Sequence, residues 1–310
     1  MTRCGQCSSF DVDSTATQSR HASTDALPPY VTLVLAVLLV SVGAILVRLA
    51  EAPPLAVSFY RMAIASLILW PFAWGNTRRS WPALARRPRW LLVASGVALA
   101  LHFATWIASL SYTSVAASVL LVNTAPLFAI VLSRLFLHEK PPLAVQAAIP
   151  IAMAGAAMIA LGDSTSSPAS PFGNLLAVGG AVTLAIYQVV GRGLRDTLPL
   201  KAYVLAVWGT ATLTLAAMMA AFGTRFGNYS ERTWLLFVAL AVVPTLGGHG
   251  LANRALRSLP APTVGLFLLG EPVIASVLAF AIFGETPGPA TLAGGAVVLA
   301  ALALVLTRRA

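Results

Sequence analysis

Apolar runs of about twenty residues follow one another along this chain with almost no pause. Ten can be marked, at roughly 30–49, 56–74, 90–110, 115–137, 143–162, 173–191, 201–222, 233–253, 261–283 and 289–307. Wound as a helix, ~20 residues measure ~30 Å, the thickness of a bilayer's hydrocarbon core. Lipid offers no partner to backbone N–H and C=O groups, so each run is predicted to be an α-helix that satisfies its own backbone. The alternation of a membrane strand is absent, which excludes a β-barrel. Short polar or Pro-rich stretches punctuate the runs, among them Pro53-Pro54, Pro141-Pro142, Pro260 and Pro287-Gly288-Pro289. The two thinnest boundaries lie at 110–115 and 253–261, where neighbouring spans are closest to merging.

Composition agrees. Hydrophobic residues make up 58% of the 310 and charged residues 10%, against roughly 25% charged in soluble domains. A soluble enzyme, a disordered chain and a secreted disulfide scaffold are excluded. Both cysteines, Cys4 and Cys7, fall in a Ser- and Thr-rich segment, residues 1–29, read as a disordered cytoplasmic tail. Two cysteines cannot complete a tetrahedral zinc site, so neither a metal nor another cofactor is expected. The segment also lacks a signal-peptide cleavage pattern, so the first run is expected to stay in the membrane as the first span.

Charge orients the chain. Cytoplasmic loops are enriched in Lys and Arg. With the N-terminus inside, sixteen of the twenty Lys and Arg fall on the cytoplasmic side, three fall outside (Arg48, Arg225, Arg232), and Arg61 remains within a span. Moving the register by one helix destroys the bias. Both termini are therefore predicted cytoplasmic, and the net charge of +10 is an inside bias rather than a nucleic-acid footprint.

The halves are alike. Residues 124–141 read TAPLFAIVLSRLFLHEKP and residues 270–287 read GEPVIASVLAFAIFGETP. At an offset of 146, Pro126 meets Pro272, Glu139 meets Glu285, and Pro141 meets Pro287. The units are residues 30–162 and 173–307, five spans each. Five is odd, so the second unit enters the membrane inverted. The fold class is an all-α integral membrane protein, ten transmembrane helices as two inverted five-helix repeats. Inverted repeats that handle substrate at their mid-membrane interface mark secondary transporters.

With these residues in view, the sequence resembles the EamA-type members of the drug/metabolite transporter superfamily. The matching features are a Gly-rich first span closing on Arg48, then Pro-Leu and Arg61 early in span 2. They continue with a Pro-containing fourth span closing on Phe-Leu-His-Glu, and a Glu-Pro ninth span closing on Phe-Gly-Glu. One departure is His138, where Gly is more usual before the Glu. The resemblance implies a multi-pass carrier of the plasma (inner) membrane that usually exports amino acids or other small metabolites.

Polar side chains within spans are costly, by about 2.5–3.5 kcal/mol for a central Arg or Asp on insertion scales. Arg61 is a candidate for holding a substrate carboxylate or phosphate bidentately, against the alternative that it snorkels to the outer interface. Glu271, about ten residues into span 9 and followed by Pro272, is placed to take up and release a proton; the alternative is a structural bond to a neighbouring helix. His102 and His249, nearly equivalent in the repeat, are weaker proton-coupling candidates. Asn123, Asn253 and Gln188 are substrate-binding candidates, and Trp106, Tyr187 and Trp208 candidates for lining an aromatic cavity. Glu139 and Glu285 read as helix caps at the starts of spans 5 and 10. Gly155, Gly162, Gly294 and Gly295 permit close helix approach, in internal packing or in a homodimer.

No phosphate-binding loop, HExxH, GxSxG or Cys–His cluster is present, and nothing in the sequence suggests an enzyme. The expected function is a secondary transporter of small metabolites, amino-acid-like or other organic solutes, exporting by proton exchange, with a small-molecule substrate and the bilayer as partners. Two alternatives stand beside it: a nucleotide-sugar or sugar-phosphate exchanger, and a non-transporting lipid-handling membrane protein.

Overall fold

The protein's structure is a computed structural model that describes residues 27–113, 115–162, 170–194, 196–284 and 286–307. Cys4, Cys7, most of the tail and Glu285 lie outside these residues. Among the described residues there are helices and no strands. Ten rods follow the apolar runs. They are α1 (Pro29–Leu49), α2 (Pro54–Ala83), α3 (Arg86–Ser109), α4 (Val115–Val122 and Ala125–Leu132, closing on a π-helical turn Ser133–Leu137) and α5 (Leu143–Gly162). The second series is α6 (Pro171–Gly193), α7 (Leu200–Ala221), α8 (Glu231–Leu240, a π-helical stretch Ala241–His249, then Gly250–Ala255), α9 (Ala261–Leu268 and Glu271–Phe283) and α10 (Pro289–Thr307). Among the described residues nine have the length and hydropathy to cross a bilayer, with a shorter apolar helix over 143–159 of α5 beside them. Their outward faces carry large apolar side chains such as Leu67, Leu143, Leu213 and Leu235, each more than two-thirds exposed. So much open apolar surface is stable only against lipid.

One sequence boundary shifts and two hold. The apolar run of α2 stops near residue 74, yet the helix continues through Arg78 and Arg79 to Ala83, because a helix satisfies its backbone in water as well as in lipid. The thin boundaries at 110–115 and 253–261 hold as tight turns, with Tyr112 N–H donating to Ser109 C=O (3.0 Å) and Leu259 N–H to Ala255 C=O (2.8 Å).

Each helix finds its principal neighbour in the opposite repeat: α1 with α8, α2 with α7, α3 and α4 with α6, and α5 with α10. These contacts obey a two-fold rule. The pairs α2–α7, α4–α9 and α5–α10 join the same helix of each repeat. The pair α3–α6 is answered by α1–α8, and α4–α6 by α1–α9. The repeats interleave, and each cluster of buried apolar residues draws on both of them.

Small residues set the closest crossings. A Cβ on Gly155 of α5 would lie 2.7 Å from the Gly294 carbonyl of α10, and one on Gly294 would lie 2.5 Å from the Gly155 carbonyl. These two glycines are used within the chain, bringing α5 and α10 to backbone contact.

Candidate functional site

Two helices are broken at equivalent places, each just before a proline. In α4 the break falls at Asn123 and Thr124, ahead of Ala125-Pro126; in α9 it falls at Leu269 and Gly270, ahead of Glu271-Pro272. Proline lacks an N–H, and the first turn of a helix is where that lack costs least. Glu271 therefore opens the second half of α9 rather than sitting in a continuous helix, with its carboxylate at that segment's N-terminus, where negative charge is favoured. The break of α4 packs on the first half of α9: a Cβ on Gly265 would lie 3.1 Å from the Pro126 ring and 3.5 Å from the Gln188 amide oxygen of α6.

The third interruption is the π-helical stretch of α8. In a regular helix residue 244 would donate to the Leu240 carbonyl, but it is Pro244. The π-helical register shifts the backbone donor to the next residue, and the Thr245 hydroxyl also donates to Leu240 C=O, at 2.7 Å. With its single hydrogen spent, the Thr245 oxygen can only accept from other groups. It accepts from Arg61 Nε–H of α2, at 3.2 Å. Gly43 of α1 leaves room for the Pro244 ring; a Cβ there would lie 3.3 Å from it.

Arg61 does not snorkel. It is 2% exposed, with its guanidinium 4.2 Å above the centre of the Phe103 ring of α3. The Phe103 ring meets His249 edge-on at 5.5 Å and is tilted against His102 at 4.9 Å. Arg61 lies close enough to act electrostatically on Glu271, His102 and His249. The three proton-coupling candidates, Glu271, His102 and His249, thus all lie within electrostatic reach of Arg61.

His102 Nδ1 is 2.9 Å from the Gly180 carbonyl, and its ring stacks on Trp106 one turn along α3 at 6.0 Å. A second cluster begins at Asn253, whose amide donates to the His249 carbonyl at 2.9 Å and to the Tyr187 hydroxyl. Trp208 also hydrogen-bonds Tyr187. Tyr187 and Trp208 are thus tied to each other and to Asn253, while Trp106 stands apart beside Gly180, about two turns away along α6. Three buried atoms here are without a partner: Trp106 Nε1, Gln188 Oε1 and Asn253 Oδ1. Asn123 lies half-buried at the break of α4.

Thr245 and Phe103 are the site residues that sequence reasoning missed. The signal for Thr245 was present as a hydroxyl immediately after a mid-span proline. Phe103 carries no such signal, since one Phe in an apolar helix looks like any other.

Both ends of the bundle are tied. Arg192, closing α6, pairs with Glu139 at 3.0 Å, and its other nitrogen donates to the carbonyls of Leu256 (3.2 Å) and Arg257 (3.1 Å). Arg257 in turn donates to the Leu198 carbonyl. One cation so joins the α4–α5 loop, the end of α6 and the end of α8. Beyond the capping role expected of Glu139, the carboxylate reaches across to α6. At the opposite end Tyr60 donates to the Phe226 carbonyl, stacks on Phe237 at 4.8 Å, and meets Trp234 edge-on at 4.7 Å. Beside it, partial burial pushes the Tyr229 hydroxyl above the usual phenol range, so it stays a donor, to Arg225 C=O at 2.7 Å.

Known proteins share this outline. The sequence profile of the EamA-like transporter family matches twice, over residues 27–161 and 171–307. The pseudopaline exporter CntI of Pseudomonas aeruginosa is 30% identical over 264 residues, which are 84% of this chain and 89% of that protein. A probable terminal-alkyne amino-acid exporter of Streptantibioticus cattleyicolor is 30% identical over 194 residues, 61% of this chain and 63% of its own length. One solved crystal structure superposes with a TM-score of 0.73 at 18% identity, over 91% of this chain and 96% of its own; it shares the fold.

Proposed function

The chain belongs to the EamA-like transporter family, and from that premise we propose that it exports amino-acid-like solutes in exchange for protons by alternating access. The coarser statement needs no proposal: this is a multi-pass membrane transporter of small molecules and not an enzyme. The observation that carries the finer reading is the placement of Arg61 and Glu271. A buried guanidinium and a carboxylate face one interior region, within electrostatic reach of each other but without a direct bond. A zwitterion matches such a pair, its carboxylate on Arg61 and its ammonium toward Glu271. When no solute is bound, Glu271 can instead carry a proton, with His102 and His249 as further carriers. Two relatives bear exporter names, one of them for an amino acid. Those names favour this class over nucleotide sugars, whose phosphates would call for more than one cation at the centre.

Alternating access needs one side closed while the other opens. Arg192 and Glu139 hold shut the side that the charge bias assigns to the cytoplasm. Both termini are placed on that side, in the plasma membrane.

The test is metabolite profiling of medium and cytosol in cells that overproduce the protein or its Arg61→Ala variant. Amino-acid-like compounds should accumulate in the medium with the wild type alone. Equal profiles for the two proteins would remove Arg61 from the binding site.

A further inference from the structure

We propose that Thr245 and Phe103 are positioning residues that fix the Arg61 guanidinium for end-on capture of a planar carboxylate; this rests on the export reading above. Arg offers five N–H donors on a flat fork. The Nε edge is held by Thr245, whose own hydrogen is committed to Leu240. One face is covered by Phe103 at 4.2 Å. The two terminal nitrogens make no hydrogen bond among the described residues. One edge and one face are fixed, and the tip, left without a protein hydrogen bond among the described residues, presents two parallel N–H groups. Two parallel donors match the two oxygens of a carboxylate in one plane. A neutral amide, with a single acceptor oxygen and no charge, matches them less well.

The anchor spans the repeats, since Arg61 and Phe103 belong to the first and Thr245 to the second. It stands where Pro244, which has no N–H to donate, interrupts the regular pattern of α8 and the Thr245 hydroxyl reaches the Leu240 carbonyl. π-Helical stretches of this kind recur at functional sites, and here the interruption turns a side chain into a directed acceptor.

The experiment uses the full chain in proteoliposomes. The probes are a terminal-alkyne amino acid, quantified by azide coupling, and its carboxamide. Thr245→Val keeps shape and removes the acceptor; Thr245→Ser keeps the acceptor. Phe103→Leu keeps an apolar side chain and removes the ring face.

For Thr245→Val the KM for the free amino acid should rise about tenfold, the scale of one hydrogen bond to a charged group, with the maximal rate within about twofold of wild type. The carboxamide KM should stay unchanged, and Thr245→Ser should restore the wild-type value. Phe103→Leu should reproduce the carboxylate-selective loss, which keeps the proposal open to refutation should the valine variant fail to insert. Equal losses for both probes, or a KM unmoved by either Thr245→Val or Phe103→Leu, overturn the positioning role. A wild type that moves neither probe overturns the amino-acid reading, and the positioning role with it.

Discussion

At the residue scale, the two intramembrane charges to which the proposed function assigns the chemistry differ in how the protein holds them. Arg61 is clamped by Thr245 and Phe103. Glu271 stands at a helix start with no hydrogen bond from the protein among the described residues. A group that must exchange a proton for a solute has to be free of permanent partners, and a group that must recognise one has to be fixed. Glu271→Gln keeps the size and polarity of the side chain but cannot ionise. It should abolish the response of net transport to an imposed pH gradient in proteoliposomes while leaving solute–solute exchange in place. A glutamine variant that still follows the gradient would return Glu271 to a structural role.

At the scale of elements, the helix ends explain a residue that looked out of place. His138 closes α4 in the left-handed region, φ 54°, and its repeat equivalent Gly284 closes α9 at φ 70°. The left-handed cap lets Glu139 N–H return to the Ser133 carbonyl at 3.2 Å and turns the chain toward Arg192. Glycine adopts this conformation freely, whereas a side chain costs about 1–2 kcal/mol. His138→Gly should raise the melting temperature in detergent by about 1–2 °C, the gain being partly offset by glycine's freedom in the unfolded chain. A fall would mean that the imidazole makes a compensating contact. The α5–α10 crossing makes the opposite point. A Cβ on Gly294 would meet only backbone and the base of a neighbouring side chain, all within 2.8 Å. Gly294→Val must therefore push the helices apart, at about 1–3 kcal/mol. Gly209→Ala on α7, where nothing lies within 4 Å, is the matched control and should leave the melting temperature unchanged or slightly raised.

At the scale of the whole molecule, the two-fold rule among helix contacts makes the repeats one structural unit. The same rule gives a topology that can be tested. Reporter fusions after residues 85 and 310 should read cytoplasmic, and a fusion after residue 168 external. An external C-terminus would contradict five spans per repeat and the inversion that follows from an odd number.

The sequence alone determined the solvent, the helix count, the duplication and the presence of two ionisable groups, Arg61 and Glu271, within apolar runs. Each of these follows from local chemistry: ~20 apolar residues have one stable environment, prolines at an offset of 146 mark equivalent breaks, and an ionisable group inside an apolar run is visible wherever it stands. Tertiary structure decided which groups meet. That Phe103 covers Arg61, that Thr245 anchors it, and that Glu139 reaches Arg192 depend on how helices from opposite repeats rotate and cross. Those rotations are set by packing at sites such as Gly43, Gly155 and Gly294. There the informative feature is the side chain that is missing, and a string of small apolar residues does not say which neighbour will fill the space.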